Sequence, residues 1–309
     1  MRHARLRHLA HRFYGVPGTN KLARVLARLA VLHLPLSVQD KQRVYNFVAA
    51  DTAPQKPVKC RTRVPGDGSV WLELHLGDGR DDLDKMVYYF GYQGYERGTT
   101  ALMLALLREY ACVVDVGANI GYYSLMAASL LEGRGQIHAF EPWAEVFNRL
   151  ARNASLNKFS SLHLNQAAAS DSDGVERLYL PANEAWTMAS LVPGVHDQSG
   201  FREVRTTRLD TYCRAHSVPR VELLKIDAEG GDLKVLRGMG TLVQTWQPDV
   251  ICEVLPPFAE EIEQFFHGTQ YRKFLIGERE LMESDRLRAD PRYKDYYFTC
   301  RERLPSVQW

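Results

Sequence analysis

From Ala101 onward the chain switches repeatedly between short apolar runs and stretches with helical spacing. ALMLALLREY reads as a helix and ACVVDVG as a buried strand. IGYYSLMAASLLEG follows as a helix closed by Gly133, then QIHAFEP as a strand and WAEVFNRLARNASLN as a helix. LHLNQAAAS (162–170) predicts a third strand. After an irregular section, VELLKIDAEG (221–230) predicts a fourth and DVICEV (249–254) a fifth, while RKFLIG (272–277) and YYFTC (296–300) supply two more. Strands alternating with helices of this length imply βαβ units and a parallel sheet covered on both faces. Right-handed crossovers then put a ligand at the carboxyl ends of the first four strands.

The residues before Ala101 follow another pattern. Leu22, Val25, Leu26 and Leu29 share one helical face while Lys21, Arg24 and Arg28 share another, so Lys21 to Leu34 predicts an amphipathic helix, capped by Asn20 and stopped by Pro35. The proline- and glycine-rich residues 52–68 read as a linker ending in a turn, and VWLELHL (70–76) alternates like a half-buried strand. MVYYFGYQGYERG (86–98) is dense in aromatics that either pack or wall a pocket. Three segments result: a basic helical extension over 1–58, a β-rich connection over 59–100 and the main domain over 101–309.

Of the 309 residues 45% are hydrophobic and 25% charged, an ordinary globular composition that excludes collagenous or wholly disordered chains. The net charge of +2 conceals an asymmetry: residues 1–39 hold seven Lys/Arg and no acid, the rest 32 basic and 37 acidic residues. The basic face therefore suits solvent, an anionic membrane surface or an anionic substrate. Five scattered cysteines (Cys60, Cys112, Cys213, Cys252, Cys300) without a C-x-x-C pair give neither a disulfide framework nor a zinc site, and a cytoplasmic compartment is the default. Near the start, Lys21, Arg24 and Arg28 interrupt each candidate signal-peptide core. The longest uncharged stretch, Val116 to Leu131, is too short and too polar to span a bilayer. A cytoplasmic protein, peripheral to the inner face of the membrane if the basic N-terminus binds there, is the expectation.

The chemistry concentrates in VVDVGANIG (113–121), a strand running into D-x-G-x-x-x-G. Gly117 and Gly121 permit a tight turn and close backbone approach. The next strand ends in Glu141, 24 residues after Gly117, where a carboxylate can take both hydroxyls of a ribose. A dinucleotide site would want G-x-G-x-x-G to bring pyrophosphate onto a helix N-terminus. Here Asp115 puts a carboxylate at the turn, which repels pyrophosphate and welcomes an ammonium or sulfonium. S-adenosylmethionine fits better than NAD.

VVDVGANIGYYSL, HAFEP, LLKIDAEGGDLKVLRGM and ICEV, in this order and spacing, resemble the FkbM-type S-adenosylmethionine-dependent methyltransferases over about residues 90–276. The resemblance implies a Rossmann-like, seven-stranded class I methyltransferase fold, here with an N-terminal helical and β extension, and a hydroxyl acceptor on a saccharide, glycolipid or secondary metabolite. It also implies that Asp115, Gly117, Asn119 and Gly121 line the methionine and sugar part of the cofactor, that Glu141 takes the ribose, and that Ala167 and Ala168 lie near the adenine. Asp232 departs from the family's usual glutamate in K-I-D-x-E-G-x-E, which leaves its role open between a site residue and a helix cap.

Asp227 and Glu229 end the fourth predicted strand and Glu253 the fifth, so the three converge where an acceptor meets the methyl group. As catalytic residues they serve as base and supporting acids. If a divalent ion is used, Asp227 and Glu253 hold it, with Mg²⁺ the natural choice for oxygen ligands. In the bland reading Glu229 caps backbone N–H groups while Lys225 or Arg237 pairs the other acids. Pro256-Pro257-Phe258 follows the fifth strand, whereas KIDAEG occupies the place of the PPY/PPF element of amine-directed nucleic-acid methyltransferases, so a nucleic-acid partner is not expected. The histidines lack metal-ligand spacing, and His138 reads as a core residue. Trp186 and His196 fall in the irregular section, where packing and substrate contact both remain readings. An NAD-dependent oxidoreductase and a catalytically silent adenosine-binding module stay open as alternatives. Oligomeric state is not legible.

Overall fold

A computed structural model describes residues 58–64, 71–76, 82–182, 188–288 and 294–309. The basic helix predicted over Lys21–Leu34, most of the 52–68 linker and Trp186 lie outside the described residues. Two compact units are present, Met1–Thr62 with His75–Tyr95, and Arg63–Leu74 with Glu96–Trp309. Within the first, a helix α1 (Asp82–Phe90) runs into a 3₁₀ turn, and Tyr88 and Tyr89 pack edge to face at 5.0 Å. Two strands lie earlier in the chain, β1 (Val58–Arg63) and β2 (Trp71–Leu76). β1 falls where the linker was expected; VKCRTR alternates apolar and polar between prolines, and the prolines masked that signal.

The second unit opens with helix α2 (Arg97–Leu106), strand β3 (Cys112–Val116), helix α3 (Tyr122–Leu131), strand β4 (Gln136–Phe140) and helix α4 (Ala144–Asn157). Strand β5 (Leu162–Asn165) ends sooner than the sequence suggested: after Gln166, Ala168–Ala169 become β6 of a separate three-stranded sheet. The irregular section is that sheet. β7 (Gly174–Pro181) and β8 (Gln198–Thr207) pair antiparallel, and helix α5 (Leu209–Ala215) follows. Then come β9 (Leu223–Ile226), α6 (Asp232–Gly238), α7 (Leu242–Trp246), β10 (Asp249–Glu253), α8 (Ala259–Phe266), β11 (Arg272–Ile276), β12 (Leu281–Glu283) and β13 (Asp295–Thr299).

The main sheet has the order β12-β11-β13-β10-β9-β3-β4-β5. Strands β5, β4, β3, β9 and β10 run parallel; β13 inserts antiparallel between β10 and β11. The seven strands expected are all in it, and the three-residue β12 adds an eighth at the edge. All five residues of β3 and all four of β9 are buried, as expected of strands covered on both faces. Each fully buried Val or Leu stabilises by about 1.5–3 kcal/mol. α3 is apolar on almost every side because it lies inside the molecule. The chain leaves β3 towards β4 on one side while β9 flanks it on the other, so the strand order reverses there and a crevice opens at the carboxyl ends of β3 and β9. No helix among the described residues is long and apolar enough to cross a membrane.

Candidate active site

The chain turns sharply after β3. Gly117 has φ 74°, and a Cβ there would stand 1.9 Å from the Asp227 carbonyl oxygen, so only glycine lets the turns after β3 and β9 close on each other. The Gly117 and Ala118 N–H groups both donate to the Phe140 carbonyl at 3.0 Å, and the Asp227 N–H donates to Val116 at 3.1 Å. Gly121, at φ 96°, starts α3 where a Cβ would meet the Leu150 side chain at 2.7 Å. Asn119 between them holds φ 50° and keeps a buried Oδ1 without a hydrogen-bond partner.

Glu141, one residue past β4, is brought against this turn. Its carboxylate accepts the Asn119 N–H at 3.1 Å and the Trp143 N–H at 2.9 Å while only 7% exposed. Two N–H bonds use about half of the roughly four lone-pair positions a carboxylate offers. Burial pushes Glu141 up to about 7 against the pull of those N–H groups. The Glu141 N–H in turn donates to Asn165 at the end of β5, so Ala167 and Ala168 follow directly on the carboxyl side of that strand.

Asp115 is buried beneath the turn. Ser124 of α3 donates to one of its oxygens, and Oδ1 has no partner. Lys225 lies opposite in the β3–β9 register. Burial raises the Asp115 pKa, and the Lys225 charge opposes that rise. The Lys225 ammonium bonds Asp227 at 2.9 Å and lies 4.9 Å from the centre of the Tyr123 ring.

The structure brings Asp227, Glu229 and Glu253 together: each offers an oxygen within 4.8 Å of the others. Glu229 sits in a turn at φ 49° and bonds the His196 ring at 2.9 Å. Lys294 reaches one oxygen of Glu253 at 3.3 Å, and the other oxygen is buried without a partner. Burial first, then the Asp227 charge, pushes Glu229 up to about 8 and Glu253 up to about 10. A proton held on Glu253 at neutral pH relieves the repulsion of three acids in one place. Of the bland pairings, Lys225 with Asp227 is present, whereas Glu229 takes a histidine rather than backbone N–H groups. That capping role belongs to Asp232, whose oxygens accept the Ala228 N–H at 3.1 Å and the Gly230 N–H at 3.0 Å. Asp232 thus ties the turn that precedes its helix.

Four residues at this edge were not singled out as catalytic from sequence. Glu96 precedes α2 at φ 39°, accepts the Tyr123 hydroxyl at 2.7 Å and is pushed up to about 8, first by burial and then by the charge of Asp295. Asp295 pairs with Glu253 in register and accepts the Thr99 hydroxyl. His196 and Lys294 lie far from the acids in sequence, and only the tertiary fold joins them. An acid before an apolar helix was the one local signal, at Glu96. Glu96, Asn119 and Glu229 all hold left-handed backbone at the same edge, strain of the kind that gathers at functional sites.

This is a doubly wound α/β protein with its polar groups gathered at the switch point of the sheet. The model of the methyltransferase FkbM domain matches residues 115–273, just over half of the chain, and the chain belongs to that family. It is 27% identical over 154 residues to the hexuronic acid methyltransferase AglP of Haloferax volcanii, covering 48% of this chain and 59% of that one. It is 29% identical over 166 residues to the 31-O-demethyl-FK506 methyltransferase FkbM of Streptomyces tacrolimicus, covering 43% of this chain and 61% of that one. The matches thus span about six-tenths of each of these relatives. A solved structure of methyltransferase FkbM from Methylobacillus flagellatus superposes with a TM-score of 0.42 at 15% identity, covering 83% of this chain and 60% of that one.

Proposed function

We propose that the chain is an S-adenosylmethionine-dependent O-methyltransferase acting on a hydroxyl of a saccharide, glycolipid or secondary metabolite. The observation that carries the reading is the buried, partnerless Asp115 oxygen under a glycine turn, with Glu141 beside it. An orphan carboxylate oxygen there suits an ammonium and repels the pyrophosphate of a dinucleotide. Asp115, Gly117, Asn119 and Gly121 would hold the methionine and sugar part, Glu141 the ribose hydroxyls, and Ala167 and Ala168 the adenine side. When bound, this cofactor supplies a methyl group on a sulfonium leaving group. The chain's own residues then align the acceptor and remove its proton. Relatives named for a hexuronic acid and for 31-O-demethyl-FK506 support a small-molecule or glycan acceptor.

Mg²⁺ at Asp227 and Glu253 is the weaker version. The spacing of the acids admits an ion, but Lys225, His196 and Lys294 already partner Asp227, Glu229 and Glu253 in turn. Transfer of isotope-labelled methyl to a panel of uronic-acid and neutral glycosides tests the activity. Turnover that survives EDTA and ignores added Mg²⁺ is expected; loss on EDTA, restored by Mg²⁺, would establish the metal version. The reading also includes peripheral membrane contact through the basic residues 1–39. Deleting them is expected to abolish sedimentation with anionic vesicles, and the parent's binding should weaken with salt. Salt-independent binding would refute an electrostatic contact.

A further inference from the structure

His196 stands on the segment between β7 and β8, and its Nε2 lies 2.9 Å from a Glu229 carboxylate oxygen. Its Nδ1 makes no hydrogen bond among the described residues, and the side chain is 20% exposed. Two further contacts pin this segment to the turn after β9. The Ser190 hydroxyl donates to the Glu229 carbonyl at 2.6 Å and accepts the Val192 N–H at 3.0 Å. Gly230, at φ 90°, faces Val195 and Phe258 so closely that a Cβ would meet them at 3.2 and 2.6 Å. The ring is therefore held by its carboxylate from one side and by its own backbone from the other. One imidazole nitrogen is anchored and the other is free, the arrangement in which an acid orients a histidine that exchanges protons.

The neighbouring acids are less suited to that work. Asp227 is engaged by the buried Lys225 and one oxygen of Glu253 by Lys294. The Lys225 ammonium occupies Asp227, and Glu253, pushed up to about 10 by burial, already carries a proton at neutral pH. Burial, followed by the Lys294 charge, lowers the His196 pKa and keeps the ring neutral.

We infer that His196, oriented by Glu229, is the group that takes the proton from the acceptor hydroxyl, at Nδ1. This rests on the O-methyltransferase reading and names its base. As the acceptor O–H bond breaks, the proton would join Nδ1 and the electron pair would stay on oxygen. The O–CH₃ bond that it forms would replace the methyl–sulfur bond of the donor, whose electron pair leaves with the sulfur as a neutral thioether. The resulting imidazolium donates from Nε2 to Glu229, and Nδ1 returns its proton to water.

The test uses the full-length protein with ¹⁵N-labelled histidine at pH 8.5, and His196→Gln assigns the signal by its disappearance. The expected ring is neutral, protonated on Nε2 and bare on Nδ1, and diethyl pyrocarbonate modifies it readily. Glu229→Gln should mix the two tautomers and slow that modification several-fold. A proton on Nδ1, or a ring inert to the reagent in the parent protein, would overturn the inference; a purely structural histidine would be so shielded. Calorimetry with S-adenosylhomocysteine separates the two readings. His196→Gln should bind it within twofold of the parent. Failure of the parent to bind it would instead refute the cofactor assignment, while the tautomer result still judges His196.

Discussion

Gly117 carries more of the site than any charged residue, because its missing side chain lets the turns after β3 and β9 meet. With φ 74° and the Asp227 carbonyl 1.9 Å from where a Cβ would stand, Gly117→Ala must strain the backbone and push the two turns apart. Overpacking of this kind costs about 1–3 kcal/mol. Thermal denaturation should therefore show a lower midpoint, together with weaker S-adenosylhomocysteine binding; an unchanged midpoint would mean that the turns separate freely. Asp115 and Lys225 add a second residue-scale feature. Two charges interrupt otherwise apolar strands at the level where the crevice opens. Such breaks in a local rule are expected where function is built.

Among the elements, the strands read most clearly from sequence were those buried on both faces. CVVDV and LLKI are short, almost wholly apolar and bounded by turn residues, so composition alone places them. The β7–β8 hairpin was not legible because much of it is exposed and charged, leaving VERLYLP without a clean alternation. LHLNQAAAS read as one strand because nothing local marks the break at Gln166, where the chain changes sheets. Glu141 and the glycine turn were readable because the motif lies along the chain. The His196–Glu229 pair was not, since 33 residues separate partners that meet only through the second sheet. The turn between β9 and α6 gives a prediction at this scale. Asp232→Ala leaves the Ala228 and Gly230 N–H groups without their acceptor and should cost about 1–3 kcal/mol. For a unit of this size each kcal/mol lowers the melting temperature by roughly 2–4 °C. A melting curve matching the parent would show that water replaces the carboxylate.

For the molecule as a whole, the deciding property is what the crevice at the switch point binds. Glu141 gives the sharpest handle, because its carboxyl is pushed up to about 7 by burial. Without ligand the protonated form is favoured, so the stability this group contributes is present below the ordinary carboxylate range and is lost as pH rises through about 7. Ribose hydroxyls donating to the ionised form reverse that preference. Binding should release a proton from Glu141, and affinity should rise as pH climbs through about 7. Calorimetric titration of the full chain with S-adenosylhomocysteine measures this directly, in two buffers of different ionisation enthalpy. The predicted result is binding that strengthens with pH and releases protons, with no heat from NAD. Glu141→Ala should lose the pH dependence and about 2–3 kcal/mol of affinity, as two charge-assisted hydrogen bonds would. Equal affinity in the Glu141→Ala variant, or binding of NAD in place of S-adenosylhomocysteine, would contradict the account.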